Sequence, residues 1–195
     1  MIWAAVLAAG ESQRMGTQKL LLPYEEGTVV GTIVRRAMES GVDGVLVVLG
    51  SDRERVRRTL RSLPVKFIVN RNFRQGMLSS IQTAISALPE AAEAAMVMLG
   101  DQPAIPAEVI DNLIKAYRAH PGRIVVPVHD GHRGHPVVIS ANYRQEILGL
   151  DPKVGLRQLL RNHPDDVLEV PADSPAVLKD LDNPEDYAAL IRCRF

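Results

Sequence analysis

A loop with small residues and two basic side chains follows the first apolar run of the chain. Residues 7–19 have the sequence LAAGESQRMGTQK. Small residues let a nucleotide approach the backbone N–H groups, and Arg14 and Lys19 supply positive charge for phosphate oxygens. The spacing excludes a Walker A motif, because Gly10 and Gly16 enclose five residues and Lys19 follows three positions later, and GxGxxG is absent. These residues predict a phosphate-binding loop, and an ordinary strand-to-turn connection is the alternative.

Two aspartates are candidates for a metal site beside that loop. Asp101 follows apolar residues 95–99, so its carboxylate should project from the carboxyl end of a strand. Mg²⁺ prefers one or two carboxylates together with phosphate oxygens and water. Asp101 could instead cap the helix predicted near Pro106, and Asp182 or Asn183 could cap a helix that begins at the following proline. A cap and a metal ligand are both open for Asp182.

Two other groups of polar side chains have a structural and a functional interpretation. Ser79 and Ser80 precede an amphipathic helical pattern, where they could bind a base edge or ribose, or cap the helix. His129, His132 and His135 are spaced by three, and three imidazoles can form a transition-metal site. Strand or loop geometry does not converge side chains at that spacing. A substrate-facing hairpin or loop over residues 127–136 is the favoured interpretation.

The elements that must position these side chains alternate along the chain. Apolar runs occur at 2–7, 45–49, 65–69, 95–99, 124–128, 137–140 and 167–170, and helical periodicity occurs at 29–38, 56–63, 81–88 and 109–117. Continuous Val/Ile-rich runs indicate strands covered on both faces, and the alternation predicts an α/β three-layer sandwich with a mainly parallel central sheet. A chain of 195 residues suits a single domain, 1–195, with a nucleotide-binding half at 1–120 and an acceptor-binding half at 121–195.

Composition narrows the partners. Lys and Arg total 23 and Asp and Glu total 23, so the zero net charge gives no general attraction for nucleic acid or anionic membranes. The arginines of segment 53–61 are interspersed with acidic residues and indicate a solvated helix face. The single cysteine, Cys193, excludes an intrachain disulfide and fits a reducing cytoplasm. The apolar start is too short to cross a bilayer and lacks a basic leader, so we expect a cytoplasmic protein with no membrane or nucleic-acid partner.

Five sequence blocks together resemble a known family. They are LAAGESQRMGTQKLLLP at 7–23, GMLSS at 76–80, LGDQP at 99–103, GHRGHP at 131–136 and LDNPED at 181–186. In this order they resemble the nucleotidyltransferases with a GT-A-like fold, and most closely the molybdenum cofactor cytidylyltransferase type. The resemblance spans nearly the whole chain. It implies Mg²⁺-dependent transfer of CMP from CTP to the phosphate of molybdopterin, with release of pyrophosphate.

The resemblance also implies a role for individual residues. Asp101 and Asp182 would hold the metal, and Asn183 replaces the family's usual Thr beside the second ligand. Catalysis would depend on Arg14 and Lys19 together with these two aspartates. The implied nucleotide-binding residues are Leu7, Ala8, Ala9, Gly10, Ser12, Arg14, Gly16, Lys19, Ser79, Ser80 and Asp101, with the serine pair at the cytosine and ribose. The implied acceptor-binding residues are Arg133, Gly134, His135 and Pro136.

Other functions are also compatible with these motifs. A sibling enzyme could be a guanylyltransferase or load a different small phosphorylated acceptor, and a nucleotide-binding regulator could keep the loop without turnover. Intact Lys19, Asp101 and Asp182 favour an enzyme. Ala9 stands where related guanylyltransferases usually carry Gly, and its methyl would crowd a purine, which favours CTP. The expected partners are CTP, a molybdopterin-type acceptor and, transiently, a molybdoenzyme or its chaperone.

Overall fold

The central feature of the fold is an eight-stranded sheet. A computed structural model describes residues 1–192, so Cys193 lies outside the described residues. The strands are β1 (Ile2–Ala8), β2 (Pro23–Tyr24), β3 (Gly27–Thr28), β4 (Gly44–Leu49), β5 (Lys66–Val69), β6 (Ala94–Leu99), β7 (Ile124–His129), β8 (His132–Arg133), β9 (Val137–Ser140) and β10 (Val167–Pro171). The sheet order is β10-β7-β9-β6-β1-β4-β5, with β8 beside β7, while β2 and β3 form a separate ribbon. All seven predicted runs form strands of the large sheet.

Most strands of this sheet are parallel. The pairs β5-β4, β4-β1, β1-β6 and β7-β10 are parallel, whereas β9 is antiparallel to both β6 and β7. The predicted mainly parallel sheet is therefore confirmed. Because the strands of both sequence halves enter one sheet, the halves share its core. The division into a nucleotide-binding and an acceptor-binding half stays a prediction.

Helices cover both faces of the sheet. They are α1 (Val29–Glu39), α2 (Arg53–Leu60), α3 (Met77–Ala87), α4 (Ala107–Ala119), α5 (Arg144–Gly149), α6 (Arg157–Asn162) and α7 (Pro184–Arg192). The apolar sides of α1, α2 and α4 share one core cluster with Ala4 and Val6 of β1, while α3 packs on Ala5 from the opposite face. The helices α3, α5 and α6 share a second cluster. This alternation along β1 confirms the three-layer arrangement.

The methionines of β6 and the arginines of α2 have structural positions in the core and on the surface. Met96 and Met98 are fully buried in β6 and fill the core. The α2 arginines are exposed, and Arg55 pairs with Asp52 at 2.8 Å, as expected for a solvated helix face. Among residues 1–192, no helix is long and apolar enough to cross a membrane.

The sheet brings the two candidate functional loops together. Strands β1 and β6 are parallel neighbours with Leu7 opposite Leu99, so the segments that follow them leave the same edge. The N–H of Gly100 donates to the carbonyl of Leu7 at 3.0 Å. A Cβ at Gly100 would lie 2.7 Å from that carbonyl oxygen, so glycine is required for this approach. The close contact places Asp101 directly beside the loop after β1.

The segment after β7 is the predicted hairpin. Strands β7 and β8 pair antiparallel, with His129 opposite His132. The two turn residues, Asp130 and Gly131, have φ of 48° and 75°. Positive φ at both positions is the requirement of a type I′ turn, whose twist matches that of paired strands. The Asp-Gly dipeptide therefore explains why the chain reverses here.

Candidate active site

A cleft of about 590 Å³ opens at the carboxyl ends of β1 and β6. Eight of the predicted nucleotide-binding residues line it: Leu7, Ala9, Gly10, Ser12, Arg14, Lys19, Ser80 and Asp101. Three do not. Ala8 is buried in the core, Gly16 ends a short 3₁₀ turn with φ of 64°, and Ser79 is buried in the first turn of α3. The cleft is within the usual range of 300–1,000 Å³ for small-molecule sites.

The loop after β1 is shaped by hydrogen bonds between its own side chains and backbone. The hydroxyl of Ser12 donates to Oε1 of Gln18 at 2.6 Å and accepts from the N–H of Lys19 at 3.2 Å. The φ of Ser12 is 54°, in the left-handed region. Within residues 1–192, the backbone N–H groups of Gly10, Glu11 and Ser12 have no hydrogen-bond acceptor. These three donors are available to an anion at the mouth of the cleft.

Lys19 joins the two predicted metal ligands. Its Nζ lies 2.5 Å from Oδ2 of Asp101 and 3.6 Å from Oδ1 of Asp182, and it donates to the carbonyl of Leu181 at 2.6 Å. The guanidinium of Arg14 lies 2.9 Å from the same Oδ1 of Asp182. The Lys19 side chain is 14% exposed, whereas that of Arg14 is 73% exposed. Residues from both ends of the chain therefore form one compact cluster of two cations and two carboxylates.

The helix-cap alternative for Asp101 is wrong. The helix α4 begins after Pro106 without a side-chain cap, and the Asp101 carboxylate instead contacts Lys19. At α7 the cap is Asn183, whose Oδ1 accepts from the N–H of Asp186 at 2.9 Å. The carboxylate of Asp186 in turn accepts from the N–H groups of Asp182 and Asn183. This reciprocal bonding fixes the backbone and leaves the Asp182 side chain directed at the cationic cluster.

The donor set suits a divalent metal shared with a phosphate. Asp101 and Asp182 contact one ammonium group, so their carboxylates share a small volume. In the described part of the chain, no group of three or more His, Cys, Asp or Glu side chains is arranged to hold a metal. One or two carboxylates completed by phosphate oxygens and water is the usual magnesium arrangement. The carboxyl group of Asp180 accepts a hydrogen bond from Nε2 of Gln102 at 2.7 Å, and partial burial and the charge of Asp101 raise its pKa.

The predicted serine pair lies within the first turns of α3. The helix begins at Met77, earlier than the sequence pattern indicated, because Gly76 adopts φ of 108° and starts it without a side-chain cap. Neither serine caps the helix, so that alternative is wrong. Both hydroxyls lie within 3.0 Å of Nδ2 of the buried Asn70. Sequence analysis missed Asn70, although its position directly after β5 places it at the ligand-binding edge of the sheet.

The predicted acceptor-binding residues lie outside the lining of this cleft, and their role stays a prediction. Arg133 is exposed and pairs with Glu169 at 2.7 Å. Gly134 lies against the carbonyl of Val177, and the N–H of His135 donates to the same carbonyl at 2.9 Å. Burial lowers the pKa of His135, and the nearby Asp101 carboxylate acts in the opposite direction. The charge of Asp101 therefore reaches His135, and the following residue, Pro136, is buried.

A further ion pair spans the mouth of the cleft and was not predicted. Arg74, in the turn before α3, contacts Glu11 of the β1 loop at 3.0 Å. A hydrogen bond from Arg74 lowers the pKa of the Glu11 carboxyl group. Both residues line the cleft. The two walls are thus connected by exposed charged side chains that sequence spacing gives no reason to pair.

Comparison with known proteins shows the family of this chain. The family model described as the MobA-like NTP transferase domain matches residues 4–177. The chain belongs to the MobA-like NTP transferase family. It is 28% identical over 182 residues to the molybdenum cofactor cytidylyltransferase of Escherichia coli, covering 93% of this chain and 91% of that protein. It is also 29% identical to the nicotine blue oxidoreductase of Paenarthrobacter nicotinovorans, covering 97% and 96%.

Solved structures show the same fold. Rv0371c of Mycobacterium tuberculosis superposes with a TM-score of 0.88 at 30% identity, covering 98% of this chain and 97% of that one. A second structure of that protein is a complex with manganese. The predicted GT-A-like nucleotidyltransferase fold is confirmed. Because MobA-like relatives carry names of different reactions, the particular substrates of this chain must be argued from its own site.

Proposed function

We propose that this MobA-like NTP transferase moves CMP from CTP to the phosphate of a molybdopterin-type acceptor, with Mg²⁺ as cofactor and pyrophosphate as the second product. The observation that carries the proposal is the cluster of Arg14, Lys19, Asp101 and Asp182 at the mouth of a nucleotide-sized cleft. Two cations and two carboxylates at one point suit a polyphosphate and its divalent metal. The likeness to the molybdenum cofactor cytidylyltransferase of E. coli supports the choice of CTP and acceptor.

The phosphate chain of the nucleotide would lie along the β1 loop. The free N–H groups of Gly10, Glu11 and Ser12 would donate to its oxygens, and Lys19 is the least exposed cation at the site. Negative charge accumulates on the leaving pyrophosphate in the transition state. A fixed ammonium at that place stabilises it without reorganising water. Arg14 adds charge from the more exposed side.

The metal would be held by Asp101 and Asp182, with phosphate oxygens completing its coordination. Bound Mg²⁺ supplies charge neutralisation and orientation of the phosphates. The chain's own contribution is to present both carboxylates on neighbouring segments, one after β6 and one before α7. The cap formed by Asn183 and Asp186 keeps the second carboxylate in place.

The transfer needs no protein nucleophile in this arrangement. An oxygen of the acceptor phosphate attacks the α-phosphorus of CTP, the bond from that phosphorus to the bridging oxygen of the β-phosphate breaks, and pyrophosphate departs with the electron pair. The acceptor phosphate is already anionic at neutral pH, so no strong general base is required. Positioning and charge neutralisation by the chain then carry the catalysis.

The acceptor would approach from the side of the β7-β8 hairpin. We assign its contacts to Arg133, Gly134, His135 and Pro136. Support comes from His135, because burial lowers its pKa and so favours the uncharged imidazole, while the charge of Asp101 acts in the opposite direction. An uncharged imidazole can donate a hydrogen bond to a phosphate or to a polar heterocycle. Arg133 would have to leave Glu169, an exposed pair that costs little to break.

The proposed preference for CTP over GTP is supported by Ala9, which lies at the edge of the cleft. Ala9 is 5% exposed and lines the cleft, and a Cβ at Gly50 would lie 2.7 Å from the Ala9 methyl. The backbone at Gly50 therefore packs closely against Ala9, whose methyl would narrow the space for a larger base. Because the sequence has a single cysteine, we propose the cytoplasm as the compartment. The proposed recipient of the product is a molybdoenzyme or its chaperone.

The direct test is product formation. The protein is mixed with CTP, Mg²⁺ and molybdopterin, and pyrophosphate release and the dinucleotide product are measured. We expect both products in equal amounts, and neither when the acceptor is omitted. Asp101→Asn serves as the inactive control. A preference for GTP in an equal mixture would overturn the cytidylyl assignment, and the absence of turnover with CTP and GTP would favour the regulator.

A further inference from the structure

We infer that Asn70 is a positioning residue that makes the Ser80 hydroxyl a hydrogen-bond donor toward the nucleotide base. The inference rests on the proposed function, because it names the base edge that the same cleft accepts. The ligand it implies is a base that turns a carbonyl oxygen or an unprotonated ring nitrogen toward Ser80. The O2 and N3 edge of cytosine has this character.

Asn70 occupies a fixed place beneath the cleft. It follows β5 directly, is 2% exposed, and its backbone N–H donates to the carbonyl of Leu49 at the end of β4 at 2.8 Å. The side chain lies under the first turns of α3. A buried amide at this place must satisfy its polar atoms within the protein.

The orientation of the Asn70 amide is decided by a backbone group. The N–H of Asn72 can only donate, and it lies 2.8 Å from Oδ1 of Asn70. That contact assigns the oxygen to this end of the amide. The amide nitrogen therefore faces the serines, with Nδ2 at 2.9 Å from Oγ of Ser79 and 3.0 Å from Oγ of Ser80.

Both serine hydroxyls accept a hydrogen bond from the Asn70 amide, but they differ in the acceptors that are available to their own protons. The Ser79 hydroxyl can donate to the carbonyl of Gly76 at 2.8 Å or of Asn72 at 3.1 Å. Within residues 1–192, the Ser80 hydroxyl has only the bond that it accepts from Asn70. Ser80 lines the cleft and Ser79 does not. The Ser80 proton is therefore the one left to meet a ligand.

A donor fixed in this way discriminates between base edges. Because the amide of Asn70 cannot accept at Nδ2, the Ser80 hydroxyl cannot rotate its proton toward Asn70 without setting two donors against each other. A base that presents an acceptor gains a bond, and one that presents an N–H leaves a buried donor unpaired. The pair of Asn70 and Ser80 thus selects by polarity, whereas Ala9 selects by size.

The test compares neighbouring serines and reverses the amide. For Ser80→Ala we expect the KM for CTP to rise about tenfold, with kcat within about threefold, because the base is remote from the reacting phosphorus. Ser80→Thr keeps the hydroxyl and should restore the KM. Ser79→Ala removes the neighbouring hydroxyl from the same amide, and because Ser79 lies outside the cleft lining we expect its KM to rise less than that of Ser80→Ala. Thr83→Val removes a hydroxyl one turn further along α3 and outside the cleft lining, so it is the control, and its KM should stay within about twofold of the wild type.

Asn70→Asp tests the direction of the hydrogen bond between residue 70 and Ser80. The carboxylate still accepts from the N–H of Asn72, but it would take the Ser80 proton and leave a lone pair facing the base. We expect the preference for CTP over the other three nucleoside triphosphates to fall about tenfold. Far-ultraviolet circular dichroism and the melting temperature verify folding. If this variant does not fold, the three serine variants decide the inference by themselves.

The outcomes separate the inference from the function on which it rests. Wild-type transfer of CMP with equal KM increases in Ser79→Ala and Ser80→Ala would overturn the inference and leave the function intact. Nucleotide affinity without acceptor is measured in parallel by titration calorimetry with the four triphosphates and Mg²⁺. If CTP is not a substrate, a selective loss of the preferred nucleotide in Ser80→Ala still supports the donor, and an unchanged affinity refutes it.

Discussion

Replacement of Lys19 by glutamine tests the charge cluster most directly. The ammonium lies 2.5 Å from Asp101 and 3.6 Å from Asp182 and is 14% exposed. At an effective dielectric constant of 20, the gross attraction is about 7 kcal/mol for the contact with Asp101 and about 5 kcal/mol for the contact with Asp182, and desolvation offsets most of it. Asp182 is 36% exposed, which screens its share further. We therefore expect a net loss of about 1–3 kcal/mol in the free energy of unfolding.

The assay combines thermal unfolding with turnover. For a chain of this size, about 2 kcal/mol lowers the melting temperature by about 4–8 °C. Mg²⁺ without nucleotide should stabilise Lys19→Gln more than the wild type, because the ammonium no longer neutralises the two aspartates. CMP transfer should fall about 10²-fold or more, partly in kcat, since the leaving pyrophosphate loses its fixed counter-charge.

Arg58→Ala provides the control for this experiment. Arg58 is exposed on α2, far along the sequence from the loop, and its removal should change neither melting temperature nor turnover. The reasoning would be refuted by a Lys19→Gln protein that melts like the wild type without Mg²⁺ and transfers CMP at a near-normal rate. The β1 loop would then be a structural connection.

Three other perturbations have defined outcomes. Asp101→Asn and Asp182→Asn should each reduce transfer by orders of magnitude in a steady-state pyrophosphate assay, while the folded state remains. Ala9→Gly should narrow a CTP preference of about 1–3 kcal/mol without reversing it, measured by competition between equal CTP and GTP. His135→Gln should flatten the acid side of the pH–stability curve, measured by denaturant unfolding. Burial lowers the folded pKa of His135, so the unfolded chain binds the extra proton and wild-type stability falls as pH drops below about 6.5.

Each of these predictions has a result that would contradict it. Asp173→Asn removes the same charge from an exposed site outside the cleft, and equal activity in it and Asp101→Asn would contradict the metal assignment. A wild-type protein that prefers GTP would remove the basis for the Ala9 prediction. For His135→Gln, a pH profile identical to that of the wild type would contradict burial as the cause of the lowered pKa.

The strands were predictable because apolar runs buried on both faces leave a strong local pattern. All seven runs form strands of the sheet, and Asp101 and the β1 loop could be paired because parallel neighbours place their following segments at one edge. The start of α3 was harder to predict from the sequence. The periodicity begins at Ile81, but Gly76 with its positive φ lets the helix begin four residues earlier, and this draws both serines into it.

Other parts of the site depend on contacts that spacing does not encode. Lys19 was expected on the phosphates, and nothing in its position shows that it would bridge the two aspartates. The bond pattern of Asn70 depends on the backbone of Asn72 and on two serines of the next helix. Such interactions are set by packing of distant segments, so they require coordinates. The family resemblance supplied residue roles that the spacing could not.

The contacts between the loop after β1 and the segment before α7 have a consequence for biosynthesis. Lys19 bonds to the carbonyl of Leu181, 162 residues later, and Arg14 to Asp182, 168 residues later. A ribosome adding 5–20 residues per second needs roughly 8–33 s to travel between these segments. During that interval the β1 loop can meet Asp101 but not its second carboxylate, so an unfinished chain lacks half of the proposed metal site. Nascent chains that have not reached Asp182 would therefore be poor consumers of nucleotide.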